Sequence, residues 1–336
     1  MNIYPKFKIF LIIYLFTIFN PNISLANEKF TEWLVGFKGR AIAQGVSQET
    51  VDTALKNAKF LERIVALDRK QPEFFEKTYE YLEKRVDEKR IQAAKNLLKE
   101  NSPLLEKVST KFKVDKEILV ALWGIETNFG VNKGKVDIIS ALSTLSFDNR
   151  RSEYFEKELI ILLKLIDNKT LKYDSLYGSW AGAIGNFQFM PSTIQKHGIN
   201  FDEVPDIDLI NSFQDSLASA ANYLKTIGWI EKDKWGFEVR IDKNFDSSLI
   251  NSDSRNLKNK ISIVQLKLLG FKNRNGSEIA YEDKTYEDKK EGWLIRPDGE
   301  DGPIYIVFDN YLRLLEWNRS LRFAITVGTL SDKIKI

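Results

Sequence analysis

The chain of 336 residues contains no cysteine and a single histidine, His197. Without cysteine the protein has no thiol nucleophile, no disulfide and no Cys/His zinc site, and a Ser-His-Asp triad would have to use His197. The net charge is small: 50 Lys and Arg residues against 47 Asp and Glu residues give +3. So small an excess argues against a nucleic-acid-binding protein. Because thiols are absent and His197 is the one imidazole, a catalytic acid or base in this chain is expected to be a carboxylate.

The sequence also lacks an apolar run of the roughly 20 residues that span a bilayer comfortably. Its longest apolar stretch, Ile9 to Phe19, follows Lys6 and Lys8 and precedes the small-x-small sequence Ser24-Leu25-Ala26. This order is typical of a secretory signal peptide over residues 1–26, and an uncleaved anchor is the alternative. Since there is no cysteine to carry a lipid anchor, we expect a periplasmic protein that meets a membrane only if this segment stays uncleaved.

The remaining sequence predicts an α+β protein that is predominantly helical. Residues 27–110 show apolar positions at helical spacing, which predicts an N-terminal helical part. Residues 111–232 concentrate Gly, Trp, Ser and Asn between apolar helices, the first of which Asp115 is expected to cap. Residues 233–336 contain strand candidates such as Ile304 to Phe308, followed by terminal helices. We therefore expect three parts after the signal segment.

One acidic residue lies in an unusually apolar setting. In the segment Trp123-Gly-Ile-Glu-Thr-Asn-Phe-Gly130, the helix neighbours of Glu126 one turn earlier are Leu122 and Trp123. Such neighbours desolvate a carboxylate and raise its pKa, as a general acid working near neutral pH requires. The small Gly124 is expected to leave room for a ligand beside the acid. The alternative is an ordinary glutamate on a helix surface.

A second feature is the glycine-rich segment Tyr177-Gly-Ser-Trp-Ala-Gly-Ala-Ile-Gly-Asn-Phe-Gln-Phe-Met-Pro-Ser-Thr193. It has neither the Gly-Lys-Ser/Thr of a phosphate loop nor the Gly-x-Gly-x-x-Gly of a dinucleotide site. Its small residues allow a bulky ligand to approach, its aromatic residues offer flat faces to sugar rings, and Ser179 and Gln188 supply neutral hydrogen bonds. Tight helix packing at the small residues is the alternative interpretation.

Together these segments resemble the MltB-type lytic murein transglycosylases of glycoside hydrolase family 103. The resemblance covers nearly the whole chain after the signal segment and is most specific in Trp-Gly-Ile-Glu-Thr-Asn-Phe-Gly and Gln-Phe-Met-Pro-Ser. It implies a lysozyme-like catalytic core over residues 111–232, with additional helices and a C-terminal part that completes the cleft. It also implies Glu126 as the essential carboxylate. The cleft for peptidoglycan glycan strands is then expected to be lined by Tyr81, Arg150, Arg151, Tyr154, Ser179, Gln188, Tyr223 and Asn318.

The resemblance implies a non-hydrolytic cleavage of the MurNAc-GlcNAc β-1,4 bond that leaves 1,6-anhydromuramoyl ends. Glu126 would act first as acid and then as base, without a cofactor. A hydrolytic muramidase in which Asp148 or Glu153 holds a water is one alternative. A non-catalytic peptidoglycan-binding scaffold is another. A monomer is expected, with no nucleic-acid partner.

One stretch departs from the calcium loop that many relatives carry. In Asn200-Phe-Asp-Glu-Val-Pro-Asp-Ile-Asp-Leu209, Val204 and Pro205 replace the Asp-Gly at which an EF-hand-like loop turns. No metal is therefore expected, although four carboxylates remain as oxygen donors: Asp202, Asp206, Asp208 and Asp215.

Overall fold

The computed structural model describes residues 21–69, 76–173, 176–202, 206–242, 244–251, 253–280, 289–300 and 302–335. The predicted signal peptide therefore lies outside the described residues, except for residues 21–26, which begin the first helix. The substituted turn at Val204 and Pro205 also lies outside them. Within the described ranges, no helix is long and apolar enough to cross a membrane.

Helices dominate the described residues, as the sequence predicts. Ser47 begins the second helix by accepting a hydrogen bond from the Thr50 backbone N–H, and Pro103 lies in the first turn of the sixth, where its missing N–H costs nothing. In chain order the helices are α1 (Pro21–Ala43), α2 (Gln48–Ala54), α3 (Glu62–Asp68), α4 (Thr78–Arg85), α5 (Glu88–Glu100), α6 (Ser102–Phe112), α7 (Lys116–Thr127), α8 (Ile138–Phe147), α9 (Ser152–Asp167), α10 (Pro191–His197), α11 (Phe213–Thr226), α12 (Ile263–Leu268), α13 (Asp309–Trp317) and α14 (Leu321–Ile334).

Helix α7 occupies the centre of the molecule. Ile118 to Gly124 are all buried, because α5, α6, α11 and α14 pack around this helix. Asp115 occupies the N-cap position, but the prediction that its side chain caps α7 is wrong. Its carboxylate instead accepts hydrogen bonds from Trp229 Nε1 (2.9 Å) and from the Lys232 backbone N–H (3.0 Å). These distant donors tie the chain after α11 to the start of α7.

The strands of the described residues form two separate sheets. A short antiparallel ribbon pairs β1 (Val136–Asp137) with β2 (Tyr177–Gly178). The second sheet has the order β4-β7-β8-β3-β6, with β5 also paired to β7, and all its pairs are antiparallel except β4 with β7. Its strands are β3 (Gly236–Arg240), β4 (Ile250–Asn251), β5 (Lys260–Ser262), β6 (Lys272–Asn273), β7 (Glu291–Ile295) and β8 (Ile304–Val307).

The two faces of the second sheet belong to different hydrophobic cores. Along β7, Trp293 and Ile295 join the large core of the helices, whereas Leu294 joins a smaller core that contains Phe271. Such alternation follows from the two-residue period of a strand, and it attaches the sheet to the helical body through one face. The predicted predominantly helical α+β class is thus confirmed. The boundaries proposed for the three parts stay a prediction.

Candidate active site

Glu126 lies in the last turn of α7, immediately before a sharp reversal of the chain. Asn128, Phe129 and Gly130 all have positive φ angles, of 50°, 59° and 83°. The Thr127 hydroxyl stabilises this reversal, since it accepts a hydrogen bond from the Gly130 N–H (2.9 Å) and donates one to the Asn186 carbonyl (2.8 Å). Helix α7 therefore ends on polar contacts made by Thr127. They join the segment around Glu126 directly to the glycine-rich segment.

The space beside Gly124 is filled by protein. A Cβ atom at this position would lie 2.7 Å from Cε1 of Phe129, and the Phe129 ring also packs edge-on against Trp123, with 5.6 Å between centroids. The expectation that Gly124 leaves room for a ligand is therefore wrong. The reversal after α7 folds Phe129 back onto the helix, and this contact requires glycine.

The Glu126 carboxyl is half-buried, and this burial raises its pKa to about 7. Oε1 accepts a hydrogen bond of 2.9 Å from Nε1 of Trp317, which acts in the opposite direction because it stabilises the carboxylate. Trp317 closes α13 and escaped the sequence analysis. The sequence indicates the role of Trp317 only weakly, through its position next to the predicted Asn318. An indole N–H that is removed from water requires an acceptor.

Trp317 is one member of an aromatic stack. Its ring lies 5.0 Å from that of Tyr223, which in turn lies 4.5 Å from the His197 imidazole, with interplanar angles of 27° and 21°. The Tyr223 hydroxyl donates to the Glu316 carbonyl at 3.2 Å. The structure thus places the predicted Tyr223 one ring away from the group that binds Glu126. Desolvation, followed by the charge of Lys196, lowers the pKa of His197 and thus favours its neutral ring.

Two predicted arginines share one buried carboxylate that the sequence analysis missed. Asp68, at the end of α3, is only 1% exposed; it accepts a hydrogen bond from Arg150 Nε at 2.6 Å and pairs with the Arg151 guanidinium. Desolvation alone would raise the pKa of Asp68, but the hydrogen bonds and charges of both arginines outweigh it, and the pKa is lowered. Each arginine keeps about 40% of its side chain exposed, so both can also meet an anionic ligand.

Tyr154 lies within electrostatic range of Arg151 in the arginine pair. It lies in the first turn of α9 and is 46% exposed. Desolvation, then the charge of Glu158, raises its pKa to about 12, and the charge of Arg151 opposes this shift. The Tyr223 hydroxyl also lies within electrostatic range of Tyr154. The phenol therefore stays protonated and can donate a hydrogen bond at any physiological pH.

Ser179 and Gln188 line the same cavity, whose volume is about 530 Å³, together with Trp180. The Ser179 hydroxyl oxygen accepts the Ala183 N–H at 2.9 Å, and the Gln188 amide donates to the carbonyls of Lys133 and Gly185 at 3.2 and 3.0 Å. Gln188 also has a φ of 51°, a strained conformation that costs about 1 kcal/mol or more and is concentrated at functional sites.

The last two predicted residues lie in different settings. Asn318 is exposed directly after Trp317, and its side-chain oxygen accepts the Ser320 N–H at 3.0 Å. Tyr81, in α4, is 7% exposed and has the Arg85 guanidinium 3.5 Å above its ring. The part that each predicted side chain plays in ligand binding stays a prediction.

The surviving carboxylates of the Asp-rich loop do not fit a bound cation. Asp215 is fully buried; its two oxygens accept the backbone N–H groups of Phe201 at 2.6 Å and Asp208 at 3.0 Å. Asp206 forms an ion pair with Lys172. N–H groups directed at these oxygens would repel a cation, which needs oxygen atoms facing it from several sides. In the ranges that the structure describes, no three His, Asp or Glu side chains gather as metal ligands.

The sequence matches a known family model over residues 29–332, and that family is described as the Transglycosylase SLT domain, SLT_2. The chain belongs to this family. The resemblance inferred from the two motif segments is thereby confirmed.

Individual relatives extend this finding. The membrane-bound lytic murein transglycosylase B of Escherichia coli K12 is 31% identical over 225 residues, which are 66% of this chain and 58% of that protein. The match thus spans less than two thirds of this relative. The structure of SltB3 from Pseudomonas aeruginosa with NAG-anhNAM-pentapeptide is 33% identical, with a TM-score of 0.82 over 91% of this chain and 79% of that one. Escherichia coli Slt35 in complex with calcium is 25% identical, with a TM-score of 0.73 over 92% and 93% of the two chains.

Proposed function

We propose that this chain is a lytic murein transglycosylase, which cleaves the MurNAc-GlcNAc β-1,4 bond of peptidoglycan without consuming water. The observation that carries the proposal is Glu126, a half-buried carboxyl whose pKa is raised to about 7 and which faces an indole donor. A carboxyl with this pKa is protonated in a large fraction of molecules at neutral pH. The names of the relatives support the same chemistry.

In the first step Glu126 donates its proton to the glycosidic oxygen as the bond to C1 of the muramoyl residue breaks. The proton leaves with the GlcNAc hydroxyl, and Glu126 becomes a carboxylate. The N–H of Trp317 stabilises this anion where it forms. The acetamide of the muramoyl residue stabilises the positive centre at C1, as in substrate-assisted glycosidases.

In the second step the Glu126 carboxylate removes the proton of the C6 hydroxyl, and the C6 oxygen bonds to C1. The product is a 1,6-anhydromuramoyl end, and the acid form of Glu126 is restored. Neither of these two reaction steps uses a cofactor. SltB3 of Pseudomonas aeruginosa is found in complex with NAG-anhNAM-pentapeptide, and the anhydro group of that ligand supports this outcome.

A hydrolytic muramidase would require a second carboxylate that holds water beside the sugar. Of the two candidates, Asp148 accepts a hydrogen bond from Arg69 at 2.9 Å. Glu153 is exposed to solvent in the first turn of α9. Among the described side chains, the one that forms a hydrogen bond with the Glu126 carboxyl is Trp317. The single-carboxylate mechanism is therefore favoured.

The proposal extends to binding and location. Arg150 and Arg151, fixed by Asp68, are suited to carboxylates of the muramoyl lactyl group or its peptide, and Tyr154, Tyr223 and Trp180 to sugar faces. The roles of the two arginines, Tyr154 and Tyr223 rest on the family resemblance, and the role of Trp180 rests on its place in the cavity of Ser179 and Gln188. A periplasmic location agrees with the predicted signal peptide, and a monomer is our expectation.

The deciding experiment is the digestion of purified sacculi, followed by mass spectrometry of the released muropeptides. We expect anhydro ends from the wild type and none from Glu126→Gln, which should still bind sacculi. Hydrated ends, abolished by Asp148→Asn or Glu153→Gln, would show a hydrolase instead. No muropeptide release by either protein, with sacculus binding and every biological readout unchanged in Glu126→Gln, would show a binding scaffold.

A further inference from the structure

Thr127 directly follows Glu126 in the last turn of α7 and is fully buried. We propose that Thr127 is a positioning residue, which uses its hydrogen bond to the Asn186 carbonyl to hold the Glu126 carboxyl within reach of the Trp317 indole. The proposal rests on the proposed function for the role of Glu126. It gives the Thr127 hydroxyl a function in the active site beyond ending a helix.

The Thr127 hydroxyl forms its shorter hydrogen bond outside its own helix. A threonine within a helix commonly donates its hydroxyl proton to the carbonyl four residues earlier, and here the Trp123 carbonyl lies 3.3 Å from the Thr127 oxygen. The Asn186 carbonyl is closer, at 2.8 Å, and a hydroxyl has one proton to donate. The same oxygen accepts the Gly130 N–H at 2.9 Å. The hydroxyl therefore connects α7 to the glycine-rich segment rather than one turn of α7 to the next.

Asn186 is itself held in place by the fold. Its side-chain oxygen accepts a hydrogen bond from Trp123 Nε1 at 3.3 Å, and its amide donates to the Ser216 hydroxyl in α11 at 3.2 Å. Its backbone N–H donates to the Leu209 carbonyl at 3.3 Å. Asn186 is only 6% exposed, so bulk water competes little for these bonds. Thr127 is thus bonded to a fixed point of the structure.

The same segment supports the hydrogen-bond donor of Glu126. The ring of Phe187, the residue after Asn186, lies 6.3 Å from the Trp317 ring at an interplanar angle of 71°, and the Phe189 ring lies 5.4 Å from it. Both phenylalanines are buried. The acid and its donor therefore rest on one segment, Glu126 through the neighbouring threonine and Trp317 through these two rings.

The chain reversal after Glu126 depends on this support. Residues 128–130 all have positive φ angles, and two of them are not glycine, a conformation that persists only where surrounding contacts hold it. Without the Thr127 hydroxyl, the Gly130 N–H would lose its acceptor and the Asn186 carbonyl its donor. Because a misplacement of about 1 Å at a reacting group can slow a reaction about a hundred-fold, a looser reversal should slow catalysis.

The test compares Thr127→Val, which keeps the shape and loses the hydroxyl, with Thr127→Ser, which keeps the hydroxyl. For Thr127→Val on soluble glycan strands we expect kcat to fall at least about five-fold with little change in KM, because the sugar contacts remain. The alkaline limb of kcat/KM should shift upward by about 0.5 pH unit, because the buried Glu126 carboxylate loses the Trp317 donor. Thr127→Ser should keep the wild-type kcat and the wild-type limb.

Thr144→Val is the matched control. Thr144, in α8, is also fully buried, and its hydroxyl likewise accepts a backbone N–H, that of Leu61 at 3.0 Å, and donates to a carbonyl, that of Lys59 at 3.3 Å. Both valine variants should lower the melting temperature to a similar extent, but only Thr127→Val should change kcat and the alkaline limb. Equal effects of the two variants on kcat and the limb, or an unmoved limb in Thr127→Val, would overturn the proposal.

A double-mutant cycle tests the link to Trp317. If Thr127 acts through this indole, Thr127→Val should not move the alkaline limb further in a Trp317→Phe enzyme, whereas additive shifts would contradict the link. Phe187→Leu removes a ring contact at the other end of the same support and should shift the limb in the same direction. It keeps the test decisive where Thr127→Val does not fold, since an unmoved limb in Phe187→Leu would reject the support.

A titration without substrate separates this proposal from the proposed function. In protein with isotope-labelled glutamate carboxyls, the nuclear magnetic resonance signal that is missing from Glu126→Gln belongs to Glu126, and its pH dependence reports the pKa of that carboxyl. We expect a higher pKa in Thr127→Val than in wild type or Thr144→Val. Equal pKa values in all three would reject the role of Thr127 even in an active enzyme, whereas a chain without Glu126-dependent anhydro products would reject the proposed function alone.

Discussion

The indole nitrogen of Trp317 donates a hydrogen bond of 2.9 Å to Oε1 of Glu126, across 191 residues of sequence. Two opposing influences therefore set the acidity of this carboxyl. Burial favours the neutral acid, and the indole donor favours the anion. An acid that must lose its proton and then recover it within one turnover needs both forms to be accessible, and a pKa of about 7 provides this near neutral pH.

Replacing Trp317 by Phe should move the pH profile of kcat/KM. The aromatic contact with Tyr223 can persist, but the carboxylate of Glu126 loses its donor while its burial remains, so its pKa rises further. Since the acid form starts the reaction, we expect the alkaline limb to shift upward by about 0.5–1 unit, as the loss of one hydrogen bond implies. The measurement is the release of anhydro ends from pH 5 to 9. The control His197→Phe changes the same aromatic stack without touching Glu126, and it should leave the alkaline limb in place. An unmoved alkaline limb in Trp317→Phe would contradict the role of Trp317 in setting the pKa of Glu126.

Replacing Glu126 by Gln should stabilise the protein as the pH rises. The folded state holds the Glu126 proton more tightly than the unfolded chain, so the stabilisation is complete below pH 4.5 and is lost as pH rises through about 7. Glutamine carries no such loss, and its advantage over wild type should grow between pH 5 and 8, by at most about 3 kcal/mol. Urea unfolding at the two pH values measures it. The exposed Glu153→Gln serves as control, and a pH-independent difference for Glu126→Gln would refute the raised pKa.

The sequence predicted the elements and the acid better than it predicted their partners. The helical class, the strand near Ile304 and the apolar setting of Glu126 follow from local periodicity and composition, which act over a few residues. Trp317 and Asp68 escaped because they meet Glu126 and the two arginines only through the tertiary fold. No spacing rule connects residues that far apart in the chain.

The two wrong expectations have the same origin. The sequence of the helix alone predicts that Asp115 caps it and that Gly124 leaves room for a ligand. In the structure, the carboxylate of Asp115 accepts hydrogen bonds from Trp229 and Lys232. The Phe129 ring fills the space beside Gly124 because the chain reverses after α7. Tertiary contacts overrode local preferences at both ends of α7, the helix that carries the acid.

Replacing Asp68 by Asn should weaken both stability and sacculus binding. The lowered pKa of Asp68 means that its contribution is present above its unfolded pKa of about 3.8 and is lost as the pH falls through the lower folded value. At pH 7 the variant leaves two arginines without their shared carboxylate, for which we expect about 1–3 kcal/mol and a several-fold weaker affinity. Denaturant unfolding and sacculus pull-down measure these effects. Arg69→Ala, which breaks the ion pair between the exposed Arg69 and the half-buried Asp148, should cost less than about 1 kcal/mol, and equal costs for the two variants would contradict a larger contribution of Asp68.

Calcium should have no effect on the thermal stability of this chain, although a relative of known structure contains it. In the loop before α11 the Asp215 carboxylate accepts the backbone N–H groups of Phe201, Asp202 and Asp208, which a bound cation would displace. We therefore expect the melting temperature to be the same in EDTA and in millimolar calcium. Asp215→Ala should lower it by several degrees in both, because buried N–H groups lose their acceptor. Asp206→Ala removes only a pair with the exposed Lys172 and should have little effect. A calcium-dependent rise that Asp215→Ala abolishes would show instead that these oxygens turn toward a metal, and that the hydrogen bonds of Asp215 are replaced when it binds.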